Sequence, residues 1–426
     1  MTAVVSRIAR NLVWLGTGEV LLKGALFAAG VVVARGLGES AMGVFTVAFG
    51  AALVLMQILA GGQVEVLIRE IAQHSGAARS LYQEARSWQR RLAVVVVPAA
   101  LLAAAVVVRE ESLRWTLLAF VPYGWLRAWL ITAGAVFKGQ DRMDVEVGAR
   151  TLEVGLALGL LVLAAGCGLP VWMTGAAFSG GAWAGTLWIV ARVGRLPLVA
   201  PSPVTARVLA RQGAPFLLLS VFTQVLVRGD VMLQAALGEA AAETGLYGAA
   251  AAAVWGLFGV TQLLAVASYP TVARWSEDGT LSQLVVLALA GGGVLVGAAG
   301  ASLLYLMRMP LILGFFGMPF GAAVPLLEVL VWLLPGACAA TLLGVVVAAR
   351  RRQALALAVQ CGMVTLALAG NLWLIPVLGV AGSARVAVAV HTLSAVAMTV
   401  VAVWAAGKGP REGAAGDGRP LPVTGQ

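Results

Sequence analysis

A few charged residues interrupt otherwise apolar stretches, and their spacing limits what they can do. Glu19 and Lys23 stand four apart in GEVLLKGALFAAG, and Arg228 and Asp230 stand two apart in QVLVRGDVML. Residues four apart share a helix face, and Glu ahead of Lys is the favourable order. Two readings follow: Glu19 neutralises Lys23 in place, or Lys23 faces a cavity and attracts an anionic group such as a diphosphate. Residues two apart point in different directions on a helix, so Arg228 and Asp230 are poor partners for each other. Each needs water or a partner on another helix. An arginine suits phosphate by charge and by its planar fork. Asp230 suits either holding Arg228's neighbours in place or binding a coupling cation. Arg127, Glu328 and Arg385 are lesser candidates, and Arg385 follows a glycine break from which it can snorkel to the interface. Glu153 reads as a local partner of Arg150, and His391, flanked by apolar residues, as a packed group rather than a proton relay. Cys167, Cys338 and Cys361 form no CxxC, and there are only two histidines, so neither a metal site nor a disulfide framework is expected. No cofactor is expected either.

These charges need apolar elements to hold them. The chain of 426 residues is 61% hydrophobic and 11% charged, with a mean hydropathy of +0.94. Soluble domains are about half apolar and a quarter charged. Long apolar runs without β-barrel alternation indicate an all-α polytopic membrane protein. Twelve spans are expected, over roughly 12–34, 41–64, 92–108, 114–137, 145–166, 169–191, 212–236, 245–268, 284–306, 321–348, 354–375 and 380–405. The first is too long for a signal-peptide core and reads as a retained helix.

The net charge of +10 lies mostly in the loops, so it reads as a topological signal and not as a nucleic-acid surface. With the N-terminus inside, the cytoplasmic segments hold 21 Lys/Arg, the opposite side 4 and the spans 4. Both termini are therefore expected in the cytoplasm of a cell with an inner (plasma) membrane location. The loop HSGAARSLYQEARSWQRR (74–91) mixes Leu81, Tyr82 and Trp88 with arginines and reads as a helix lying on the anionic inner leaflet. The tail 407–426 is rich in Gly and Pro and reads as disordered.

The sequence also repeats itself. LGESAMGVF at 37–45 returns as LGEAAAETGLY at 237–247, each between the first two spans of a half. Further landmarks agree at offsets near 200: RIARNLVWL with RVLARQGAPFLLL, FKGQDRM with AARRRQA, and GCGLPVWMTGAAF with IPVLGVAGSAR. An even number of spans per half gives parallel repeats about an axis along the membrane normal. The expected architecture is two pseudo-symmetric six-helix lobes around a central cavity, 1–200 and 201–406. There is no P-loop and no redox ligand set, which argues against a self-powered pump or an electron carrier. A secondary transporter or flippase remains.

The order of these motifs resembles the polysaccharide and lipid-linked-oligosaccharide flippases, in the superfamily that also holds the MATE drug exporters and the lipid II flippase. The features that carry the likeness are Asn11 and the ARGLGESAMGVF turn, the VLIREIAQ loop, Pro215 ahead of Arg228 and Asp230, and NLWLIPVLGVAGSA near the C-terminus. The resemblance implies alternating access and a substrate carried on a polyprenyl diphosphate, moved to the outer leaflet for polysaccharide biosynthesis. Lys23, Arg127, Arg228 and Asp230 would bind it, with Glu19, Glu328 and Arg385 in coupling or structural roles. The implied partners are an anionic lipid-linked glycan, membrane lipids and other polysaccharide-assembly proteins, without nucleic acid. The coupling ion, sodium or proton, stays open. Twelve spans rather than the fourteen usual in lipid II flippases favour a general polysaccharide flippase. The rival is a cation-coupled multidrug exporter of the same fold, which would use acidic cavity residues.

Overall fold

The two glycines that open the repeated phrase share the same positive φ. Gly38 has φ 86 and Gly238 has φ 87, a region that side-chain-bearing residues rarely enter. Each therefore ends one helix and starts the next. In the computed structural model, which describes residues 2–408 with side chains from Gly16 onward except Pro270, α1 (Thr2–Ala60) is one helix broken at Gly38. Its two arms fold back on each other. A Cβ on Gly30 would touch Met42, twelve positions further along the chain. The side chains of Arg7, Arg10 and Asn11, and the tail from 409 on, lie outside the described residues.

After the short α2 (Gln63–Gln73) come α3 (Ala78–Val107), α4 (Glu111–Gly139), α5 (Met143–Gly166) and α6 (Met173–Gly194). The second half holds α7 (Ala206–Ala236), α8 (Ala241–Glu277), α9 (Gln283–Leu306), α10 (Arg308–Leu311), α11 (Ala323–Leu330), α12 (Leu333–Ala349), α13 (Gln353–Leu378) and α14 (Val380–Gly407). Among the described residues eight helices are long and apolar enough to cross a membrane, and a broken pair, bent by 50° before α12, makes nine. Counting the arms of α1 separately and adding α4 and α6 gives the twelve rods read from the sequence. α4 and α6 stand apart because tryptophans, Arg127 and a glycine-rich run dilute their apolar content. In lipid a helix satisfies its own backbone groups, which is why these runs are helical throughout.

The pseudo-symmetry extends beyond the opening phrase. Asp141 and Arg351 are the two non-glycine residues with positive φ, 58 and 55, among those described. They occupy the same turn of each half, after α4 and after α12. There Arg142 N donates to Phe137 O at 2.8 Å and Arg352 N to Val347 O at 3.0 Å. Gly168 and Gly379, at φ 63 and 60, break the chain before the last helix of each half. Within the first half α4, α5 and α6 pack on one another and on α1; within the second, α9, α12, α13 and α14 do the same.

The arginine-rich loop differs from its expected form. α3 runs unbroken from 78 to 107, and Leu81, Tyr82 and Ala85 are buried in the first half's core. The apolar face of that segment packs on protein.

Candidate functional site

The halves meet along α1, α7 and α8, and their close approaches are made by glycines. A Cβ on Gly43 would fall on the Ala241 carbonyl, and one on Gly245 would fall on the Glu39 carbonyl. The two copies of the repeated phrase thus pack directly against each other. Beside them Arg35 Nε donates to Phe315 O at 2.7 Å and Arg35 Nη2 donates to Gly314 O, fastening α1 to the turn Ile312–Phe316 of the second half. At the other end of the bundle Gly62 and Gly213 approach as closely, and Arg69 Nη2 donates to Gln212 Oε1 at 2.8 Å.

Between these two ends lies a cavity of about 330 Å³, within the ~300–1,000 Å³ of small-molecule sites. Its wall is aromatic at Phe27, Phe45, Phe49, Trp255 and Phe258. Its polar groups are Lys23, Arg228, Gln224, Gln262, Thr46 and Thr223. Lys23 Nζ donates to Gln262 Oε1 at 2.9 Å, across the halves. Arg228 makes no ion pair or hydrogen bond among the described residues, and its stem packs over Gly50. No carboxylate lines the cavity among the described residues. Two cations thus face a shared space with no acid opposite.

The other expected residues lie elsewhere. Glu19 makes its ion pair with Arg150 and not with Lys23: its carboxylate accepts from Arg150 Nη1 at 2.8 Å. Arg150 also reaches Glu146 at 3.4 Å, and Lys138 Nζ meets Glu146 at 3.1 Å. Arg127 was expected to face the cavity and does not. It is buried inside the first half and paired with Glu153. The local Arg150–Glu153 pair is thereby replaced, because Arg127 of α4 reaches Glu153 from the facing helix.

Asp230 also turns away from the cavity. It accepts a hydrogen bond from Tyr247 Oη and one from Val231 N at 2.7 Å. It borders a cleft of about 10 Å³ between α7, α13 and α14, with Asn371 and His391. His391 Nδ1 lies 2.8 Å from Ala387 O, and its ring lies 5.5 Å from that of Trp255. Glu328 pairs with Arg308 at 2.6 Å, which ties α11 to α10. Arg385 is exposed on α14.

Sequence reasoning passed over Gln224, Gln262 and the aromatic wall. The glutamines carried a readable signal, since each is a polar side chain inside an apolar span. The aromatics did not, because nothing distinguishes a cavity-lining Phe from a packed one before the helices are assembled.

A family model described as "Polysaccharide biosynthesis protein" matches residues 8–276. No curated protein matches the sequence. Among solved structures, an inward-facing multidrug resistance MATE family transporter of the MOP superfamily aligns with TM-score 0.73 at 14% identity, covering 91% of this chain and 94% of that one. The outward-facing conformation of a MATE family transporter aligns at 0.66 and 15%, covering 93% and 95%. The lipid II flippase MurJ in an inward closed conformation aligns at 0.70 and 10%, covering 92% and 87%. At these identities the likeness is one of fold: a MATE-like bundle of membrane helices.

Proposed function

This chain belongs to the polysaccharide biosynthesis protein family, and from that premise we propose that it is a flippase. It carries a polyprenyl-diphosphate-linked oligosaccharide from the cytoplasmic to the outer leaflet of the plasma membrane. The observation that supports this reading is the cavity between the halves, which holds Lys23 and Arg228 and, among the described residues, no carboxylate.

In this reading the two cations capture the diphosphate. A charged headgroup crossing a membrane faces a desolvation barrier, and opposite charge in the cavity offsets it. Gln224, Gln262, Thr46 and Thr223 supply hydrogen bonds to sugar hydroxyls, and the aromatic wall supplies apolar faces for sugar rings. The polyprenyl tail stays in lipid. The lobes, 1–200 and 201–406, rock about the site, and the end sealed by Gly43 and Gly245 opens outward. That end is outer if the Lys/Arg bias is obeyed, with both termini cytoplasmic. The process is transport and not catalysis.

The multidrug-exporter reading requires acidic groups in the cavity. Asp230, the nearest acid on α7, is turned into the second half against Tyr247. The test is export of the cognate glycan in cells carrying Arg228→Ala, Arg228→Lys or Lys23→Ala. We expect loss of export at unchanged protein level for the alanine variants and partial export for Arg228→Lys. Normal export by the Arg228→Ala and Lys23→Ala variants would overturn the assignment.

A further inference from the structure

The start of α3 carries a second concentration of positive charge, remote from the transport cavity. Its first turns are docked on the connection between the halves. Arg79 Nη1 donates to Leu196 O at 3.1 Å, and Ser80 Oγ donates to Ala200 O at 2.9 Å. Further along, the same helix turns outward to lipid: Val94 and Val95 are 74% and 68% exposed, and Leu102, Val106 and Val107 follow. Arg90 precedes Val94 by one turn, a rise of about 6 Å. Arg86 and Arg90 therefore stand at the depth where hydrocarbon gives way to headgroups.

At that depth Tyr82, Gln83, Arg86, Arg90 and Trp129 line a recess of about 240 Å³. Its walls are held in place. The Arg86 guanidinium lies 3.5 Å from the centroid of the Trp129 ring. Trp129 Nε1 donates to Tyr82 Oη at 2.6 Å, and Arg86 Nη1 donates to Gln89 Oε1 at 3.2 Å. Arg90 makes no hydrogen bond or ion pair among the described residues. No carboxylate pairs with either arginine there. Glu84, the acid nearest in sequence, is taken by the backbone N–H of Ala206 at 2.7 Å. Two like charges one turn apart repel on a helix. Here Arg86 is held by Trp129 and Gln89 and Arg90 stands exposed one turn further on, with no carboxylate opposite either.

We propose that this recess binds the phosphate of an anionic phospholipid headgroup. Arg86 and Arg90 grip the phosphate oxygens with their guanidinium forks. Trp129 and Tyr82, amphipathic rings of the kind that favour the interface, seat the glycerol region beside them. The lipid-facing valines one turn away favour a lipid over a soluble anion. None of the five residues lines the transport cavity, so the site is independent of the substrate reading.

The test uses the full chain purified in detergent and mixed with equal amounts of phosphatidylglycerol and phosphatidylcholine, with bound lipid counted by native mass spectrometry. Preferential retention of phosphatidylglycerol is expected. It should fall roughly fivefold for each arginine removed, in Arg90→Gln and in Arg86→Gln/Arg90→Gln. Arg211→Gln, an exposed arginine outside the recess, should leave it unchanged. The single Arg90→Gln variant removes an exposed, unpaired side chain and carries the test if the double variant does not fold. Equal retention of both lipids by the unaltered protein, or a preference that survives Arg90→Gln, overturns the proposal. Displacement of the lipid by millimolar inorganic phosphate overturns the choice of a lipid over a soluble anion.

Discussion

Inside the first half Arg127 and Glu153 have removed each other from water and from the cavity, with side chains only 9% and 2% exposed. Breaking such a pair leaves one charge buried without a partner. Arg127→Ala should therefore destabilise the protein by about 3–5 kcal/mol, whereas replacing both with apolar residues should cost far less. Thermal unfolding in detergent measures this, and the surviving Arg127→Ala protein should still bind substrate. Arg228→Ala should do the reverse, leaving the melting temperature near its normal value and abolishing export. Sequence spacing alone could not separate these two arginines. Both are cations in apolar spans, and what distinguishes them is a carboxylate 26 positions away on α5. Lys23 was legible as a cavity candidate from its place in α1. That Glu19 would leave it for Arg150, 131 positions along the chain, was not.

The turns show how far the elements could be read in advance. The repeated LGE phrase marked both sharp turns because only glycine enters that backbone region cheaply. Gly38, at φ 86 and ψ −177, lies where a side chain costs on the order of 1–3 kcal/mol. Gly38→Ala should lower stability by that amount in a denaturation series. The same phrase carries Gly43 and Gly245, whose approach closes one end of the cavity. A methyl group on Gly43 would force the halves apart there. Gly43→Ala should make a cysteine at Thr46, in a background without the native cysteines, react several-fold faster with an impermeant thiol reagent added outside. Unchanged reactivity would mean that this contact does not hold the end shut. α2 and the short turns between Arg308 and Ala322 were not foreseen, because segments this short carry no span-length apolar run. The continuity of α3 was missed for a related reason. Its arginines suggested a surface helix, yet its apolar face had a protein partner that sequence periodicity cannot identify.

At the scale of the whole molecule, duplication explains the architecture and asymmetry explains the chemistry. Matched positive-φ turns recur in both halves at Gly38 and Gly238, Asp141 and Arg351, and Gly168 and Gly379. The cavity charges do not recur. Lys23 comes from the first half and Arg228 from the second, and they meet only because the halves face each other across one cavity. The pairing of two unopposed cations is thus a property of the assembled bundle. The most direct test is reconstitution into liposomes with a fluorescent polyprenyl-diphosphate sugar, scoring the fraction moved between leaflets. The unaltered protein should move it, and the Lys23→Ala/Arg228→Ala variant, inserted to the same extent, should not. Equal movement by both, or movement of a cationic drug in place of the diphosphate lipid, would contradict the account.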